Sequence, residues 1–172
     1  MKQQQSGFTL IELVAVIVLL GILAVTALPK FVGLQSDARR ATITGITGGI
    51  MGSMSQIYSR SVLDNTAATQ ATGGPPPTTP VAATSGGNVV ISYGYPVALT
   101  AQMTTAVDIQ GDKLLFQETT TAIGGSNVRT WRAGYDMDGS GALTSADACY
   151  AEYIEAPNAT TAARASSVTT GC

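Results

Sequence analysis

The sequence contains no histidine and only two cysteines, and just 12% of its 172 residues are charged. The missing imidazole removes Ser-His-Asp and Cys-His catalysis, imidazole general bases and His-ligated zinc or iron. Nine basic residues stand against eleven acidic ones, a formal net charge of −2, and they are scattered from Lys2 to Arg164 without a cluster or interleaved aromatics. Sequence support for nucleic-acid binding is weak, and no specific nucleic acid is indicated. There is no phosphate-cradling glycine loop and no Cys-x-x-Cys, and Glu152 with Glu155 are too ordinary to form an acid/base pair. With no nucleophile, base and oxyanion donor to combine, an enzyme is the least favoured class.

What is present is apolar, small and hydroxylated. A chain of 172 residues accommodates one domain plus an extension, but not two independent domains of ordinary size. The abundance of Thr, Ser, Ala and Gly is typical of secreted bacterial surface proteins. Both cysteines, Cys149 and Cys172, lie near the C-terminus of a chain with an export-like N-terminus, so an oxidised pair is the natural reading. The loop it closes is somewhat longer than the roughly 15-residue case worth about 3 kcal/mol.

From Phe8 to Leu28 the only polar side chains are Thr9, Glu12 and Thr26. At about 1.5 Å per residue this segment spans about 31 Å, close to the roughly 30 Å hydrocarbon core of a bilayer. A competing reading is an ordinary secretory signal, with Lys2 as its positive region and cleavage around Val25-Thr26-Ala27. Glu12 separates the two, because a carboxylate costs about 2.5–3.5 kcal/mol at mid-helix in a membrane and serves no purpose in a disposable signal. If the chain is cut between Gly7 and Phe8, the new α-amino group of Phe8 supplies a cation. Glu12 of one subunit can then neutralise that amine in a neighbour.

Gly7-Phe8-Thr9-Leu10-Ile11-Glu12, followed by an apolar run from Leu13 to Val25, resembles the class III signal of type IV pilins and pseudopilins. The resemblance implies that a membrane prepilin peptidase cuts after Gly7 and methylates the amine of Phe8. Glu12 matches the family's glutamate, and Gly21 and Pro29 fall where the family's long helix is typically interrupted. The likeness covers about residues 1–60. Within it, Pro29-Lys30-Phe31 and Asp37-Ala38-Arg39-Arg40-Ala41 are similar to pilins of the mannose-sensitive haemagglutinin type. One departure is the flanking charge: Lys2 on the cytosolic side faces Lys30, Arg39 and Arg40 outside, against the positive-inside tendency.

Beyond Pro29, Ile43, Ile46, Ile50, Met54 and Ile57 recur at spacings of three and four, a helical stripe that should lie on a sheet. Gly45, Gly48, Gly49 and Gly52 interrupt the same stretch, each at up to about 1 kcal/mol relative to Ala. Gly45 with Gly49 and Gly48 with Gly52 are G-x-x-x-G pairs that admit another backbone closely; the alternative is a helix that breaks near Gly48. From about Ser61 to Asn88 the Thr/Ala/Gly/Pro-rich sequence, including Gly73-Gly74-Pro75-Pro76-Pro77, reads as an exposed loop without helix or strand, and its hydroxyls are candidates for O-linked sugars. Strands are predicted at Val89–Tyr93, Lys113–Glu118, Val128–Ala133 and Cys149–Ile154, with a short helix at Leu99–Val107. Trp131 is a core residue or a sugar-binding platform.

Asp136-Met137-Asp138-Gly139-Ser140-Gly141-Ala142-Leu143-Thr144-Ser145-Ala146-Asp147 has the pattern of a twelve-residue calcium loop. The ligands would be the side chains of Asp136, Asp138, Ser140 and Asp147, the Ala142 carbonyl, and Thr144 through water. Gly141 takes the sharp-turn position, and Leu143 anchors inward. Three carboxylates in one loop would repel each other without a cation; the alternative is an acidic, glycine-rich turn with no ion.

The resemblance thus implies an α+β type IV pilin fold, with the later half of a long N-terminal helix packed on an antiparallel sheet and a disulfide-closed C-terminal loop. The expected organisation is a leader at 1–7, a long helix at 8–60 whose first part, 8–28, is both membrane anchor and filament core, and a head at 61–172. The implied partners are further copies of the chain, the prepilin peptidase and the inner-membrane pilus assembly machinery. The implied location is the inner membrane first and an extracellular pilus afterwards, with adhesion or motility as the outcome. The alternatives are the major pseudopilin of a type II secretion system and, from another class, a secreted carbohydrate- or DNA-binding module.

Overall fold

The computed structural model describes residues 8–65, 80–82, 88–109, 111 and 113–172. The expected leader and most of the Thr/Pro-rich loop lie outside the described residues. The chain divides into two compact units, Met1–Ala38 and Arg39–Cys172. Helix α1 runs Leu10–Leu63 and begins in the first.

In the first unit α1 starts with a reciprocal cap. The backbone N–H and hydroxyl of Thr9 both donate to the Glu12 carboxylate at 2.8 Å, and the Glu12 N–H donates to the Thr9 hydroxyl at 3.3 Å. This is the Thr-x-x-Glu capping box, which satisfies donors that a helix end leaves bare. Every described side chain from Phe8 to Thr26 is exposed, on all sides of the helix. The interruption expected at Gly21 and Pro29 is not found: α1 is continuous, with Pro29 inside it. One proline deletes one i→i−4 bond, and the surrounding Leu, Ala and Val turns carry the helix past it.

In the second unit the predicted stripe is buried: Ile43, Ile50 and Ile57 are 0% exposed, and Ile46 and Met54 are 9%. Each such side chain contributes about 1.5–3 kcal/mol when it leaves water, which outweighs the helical glycines. Ile43, Ile46, Ile50 and Met54 share a core with Trp131, Ala133, Ala151 and Tyr153. Ile57 joins a smaller cluster with Val89, Ile91 and Ala106. Among the described residues, the close approach expected along the glycines occurs at Gly49 alone, where an added Cβ would lie 3.0 Å from Val107; Gly45, Gly48 and Gly52 meet no described atom within 4 Å.

The sheet is two sheets. Strands β1 (Pro80–Ala82), β2 (Asn88–Ser92) and β3 (Tyr95–Pro96) form one, in that order. After helix α2 (Thr100–Val107), strands β4 (Leu115–Ile123), β5 (Ser126–Gly134), β6 (Tyr150–Ile154) and β7 (Arg164–Val168) form a second, fully antiparallel meander. Three differences from the predicted elements have physical reasons. β1 falls inside the stretch read as loop because Pro80 pairs at the sheet edge, where a missing N–H is tolerated. β7 was not predicted: Arg164-Ala-Ser-Ser-Val has no apolar alternation, and pairing with β6 holds it. β4 extends to Ile123 because a Thr run, β-branched throughout, continues the ladder past Glu118.

The two sheets and α2 are joined by polar links. Leu99, before α2, offers no side-chain cap, and Glu118 of β4 supplies one instead, accepting the Thr100 N–H at 2.7 Å. Glu155 accepts the Ala98 N–H at 3.1 Å, and buried Tyr153 donates its hydroxyl to the Pro96 carbonyl at 2.6 Å.

Candidate functional site

The sequence-predicted residues fall in two groups, at the start of α1 and around the 136–147 loop, and only the second is brought together. At the N-terminal end Gly7 lies outside the described residues, Phe8 is 94% exposed, and Glu12 is bonded to Thr9. Thr9 was not singled out by the sequence reading, although Thr-Leu-Ile-Glu is a legible capping-box pattern. The carboxylate is therefore not bare: it is anchored at the tip of α1, where the helix dipole also favours a negative charge. The 54-residue helix is long and apolar enough to cross a membrane, by length and composition.

The second group sits between β5 and β6. Tyr135 continues the ladder by donating its N–H to the Cys149 carbonyl at 3.0 Å, and the 136–147 loop leaves from there. Asp136 accepts the N–H groups of Gly139 at 2.7 Å, Ser140 at 3.2 Å and Gly141 at 2.7 Å. Asp147 accepts those of Met137 at 2.7 Å, Asp138 at 3.3 Å and Thr144 at 2.7 Å, and the Thr144 hydroxyl at 3.1 Å. Gly139 and Gly141 turn the backbone at φ of 75° and 81°, the left-handed region that suits glycine. Leu143, 2% exposed, anchors the loop in the core.

Carboxylate oxygens of Asp136, Asp138 and Asp147 lie within 4.8 Å of one another, so the cluster can hold a metal ion. The expectation that three carboxylates need a cation to coexist is incomplete, since backbone N–H groups already face them. Those bonds, that of Gly141 foremost, hold the Asp136 carboxyl below the usual carboxylate range. At Asp147 burial pushes the carboxyl upward, but the donors on Met137 and Thr144 outweigh it and leave it lowered. The Ser140 hydroxyl donates to the Ala142 carbonyl at 3.0 Å, so two predicted ligands are bonded to each other. Arg39 of α1, which the sequence marks only as a flanking charge, reaches the loop entrance: its guanidinium lies 6.0 Å from the Tyr135 ring centre and 3.6 Å from the Met137 sulfur.

Beside the loop, Cys149 and Cys172 form a disulfide with Cα atoms 4.9 Å apart. The Gly171 N–H donates to the Ala148 carbonyl at 2.9 Å, and a Cβ at Gly171 would collide with the Asp147 carbonyl. The tail is thus pressed onto Asp147, the last residue of the predicted loop. Trp131, weighed as a sugar platform, is 0% exposed and stacks on Phe116 at 5.6 Å, so it serves the core.

The prokaryotic N-terminal methylation motif matches residues 2–28. With a long helix packed on an antiparallel sheet and a C-terminal disulfide, the chain has the signal and the fold of a type IV pilin. Among curated proteins it is similar to the fimbrial protein EcpC of Eikenella corrodens, 41% identical over 71 residues, which are 40% of this chain and 46% of that protein. The match thus spans less than half the length of that relative. No solved structure matches the chain significantly.

Proposed function

We propose that the chain is the major structural subunit of a type IV pilus. It enters the inner membrane as a prepilin, is cut between Gly7 and Phe8 by the prepilin peptidase, and is methylated at Phe8. The inner-membrane pilus machinery then polymerises it into an extracellular fibre for adhesion or motility. Residues 1–7 are the leader, 8–60 the long helix, with 8–28 as anchor and filament core, and 61–172 the head. The observation that carries this reading is the apolar segment exposed on every side, bearing one carboxylate at its tip. Lipid covers that surface first, and copies of the same segment cover it afterwards, with the Phe8 amine and Glu12 setting the register. Gly21 and Pro29 belong to this assembly segment as points where α1 can yield on packing.

N-terminal sequencing and mass spectrometry of the mature protein provide the test: the expected start is Phe8 carrying one methyl group, and a start at Leu28 overturns the reading. A second reading, the major pseudopilin of a type II secretion system, shares the N-terminal signal. Extracellular filaments on unmodified cells favour the pilus.

The cation proposed for the cluster is Ca²⁺, held by Asp136, Asp138, Ser140, the Ala142 carbonyl, Thr144 through water and Asp147, with the weak affinity, about 10⁻⁴ to 10⁻³ M, of extracellular modules. Chelation should lower the thermal midpoint of the full chain in detergent, and readdition of Ca²⁺ should restore it. An unchanged midpoint removes calcium from the proposal.

A further inference from the structure

Half of the six tyrosines in the sequence meet in one place. Tyr58 of α1, Tyr93 and Tyr95 of the β2–β3 hairpin, and the 159–162 turn line a small cleft of about 150 Å³. Its geometry is set by unusual backbone. Tyr93 and Gly94 form the two-residue turn between Ser92 and Tyr95, at φ of 51° and 84°. A bulky residue such as tyrosine is a marked outlier in that region, where Asn, Asp or Gly is the ordinary choice.

Gly94 is also pressed against α1: a Cβ there would lie 2.8 Å from the Tyr58 ring and 2.9 Å from the Ser61 hydroxyl. Tyr58 in turn stacks on Tyr95, ring centres 4.9 Å apart and planes at 21°. The aromatic wall is therefore locked by packing rather than free to rotate. The 159–162 turn is fixed by Asn158, whose side-chain Oδ1 accepts the Thr160 N–H at 3.0 Å and the Thr160 hydroxyl at 2.8 Å.

The lining chemistry is specific about what it can take. Among the described residues no Asp, Glu, Lys or Arg lines the cleft, which disfavours phosphates, carboxylates and cations. The phenol hydroxyls of Tyr58, Tyr93 and Tyr95 have no protein hydrogen-bond partner among the described residues, and each can donate and accept. Thr160 and Thr161 add two more hydroxyls. The volume equals about five waters of about 30 Å³ each, room for one ring and not for a folded chain. A pre-formed wall of tyrosine rings with neutral hydroxyls in the same lining suits a ligand with apolar C–H groups and a polar rim.

We propose that this cleft binds a neutral pyranose, the Tyr58, Tyr93 and Tyr95 rings meeting its C–H face and the Thr160 and Thr161 hydroxyls its rim. The site lies wholly within the second unit and does not depend on how the first unit assembles. With a single small ring as ligand, the affinity is millimolar.

The test is NMR of the ring-labelled full chain, in a detergent without a sugar headgroup, titrated with D-glucose, D-galactose, D-mannose and N-acetyl-D-glucosamine. The expected result is a saturable shift of the Tyr58, Tyr93 and Tyr95 signals by at least one sugar, with Tyr135, Tyr150 and Tyr153 unmoved. The exposed double variant Thr160→Val/Thr161→Val should weaken that binding several-fold with the circular dichroism spectrum unchanged. Tyr58→Phe, which keeps the stacked ring, should weaken it also. Several outcomes overturn the proposal: no saturable shift up to about 100 mM of any sugar, shifts spread equally over all six tyrosines, undiminished binding in both variants, or a response to a prolinamide peptide alone.

Discussion

The same helix carries isoleucine in two opposite circumstances. Ile17, in the Met1–Ala38 unit, is 57% exposed, while Ile50, in the Arg39–Cys172 unit, is fully buried against the sheet side chains. Nothing in the side chain differs; what differs is whether this chain supplies the cover. In the second unit the buried apolar positions recur on one stripe and most of the rest of the helix is polar or small, Met51, Tyr58, Val62 and Leu63 excepted, the pattern of a surface helix on its own core. In the first they occur all round, the pattern of a helix whose solvent is lipid or other helices. A single element is thus covered by its own chain in one part and left bare among the described residues in the other.

The sharpest way to break that comparison is at Glu12. Glu12→Ala is expected to leave membrane insertion and the fold of the second unit intact while abolishing filaments, read by fractionation, thermal melting and electron microscopy. Normal filaments would show that register is set elsewhere. Ile50→Ala should do the reverse, destabilising the second unit by about 2–5 kcal/mol in chemical denaturation, whereas Ile17→Ala should leave that stability unchanged. Removing the disulfide with Cys149→Ser/Cys172→Ser should cost about 3 kcal/mol, again in the second unit alone.

The smallest expected effect is on acid sensitivity. Asp136 and Asp147 titrate below their ordinary values, so the stability they provide is complete above the usual carboxylate range and disappears as the pH falls through their lowered values. Glu155 runs the other way. Burial raises its carboxyl despite the Ala98 N–H, so the folded state holds its proton more tightly, and that contribution fades as the pH rises through the raised value. Thermal midpoints of Asp147→Asn between about pH 6 and about pH 2 should fall less steeply than those of the parent chain; an identical slope would remove the loop from the acid response.

The degree to which this was legible in the sequence follows the range of the interactions. The five-residue stripe, α2 and the four predicted strands were readable because periodicity is local, and the inward anchor Leu143 was readable from its place in a twelve-residue pattern. β7 and the Glu118 cap of α2 were not, since each depends on a partner distant in sequence. The glycines of α1 are illegible for the same reason: among the described residues Gly49 meets Val107, and no pattern within α1 distinguishes it from Gly45 or Gly52. At the N-terminus the partner is local: Thr9, three residues before Glu12, holds its carboxylate, and Thr-x-x-Glu is legible as a capping box.

The ends of the four-stranded sheet have a consequence of their own. β7, one margin, is five residues long, starts with Arg164 and carries two serines, and β4, the other, is tied to α2 through Glu118. Short, polar or covered margins discourage strand-to-strand stacking between molecules. In the proposed pilus, that restraint would keep sideways sheet fusion from competing with assembly through the helices.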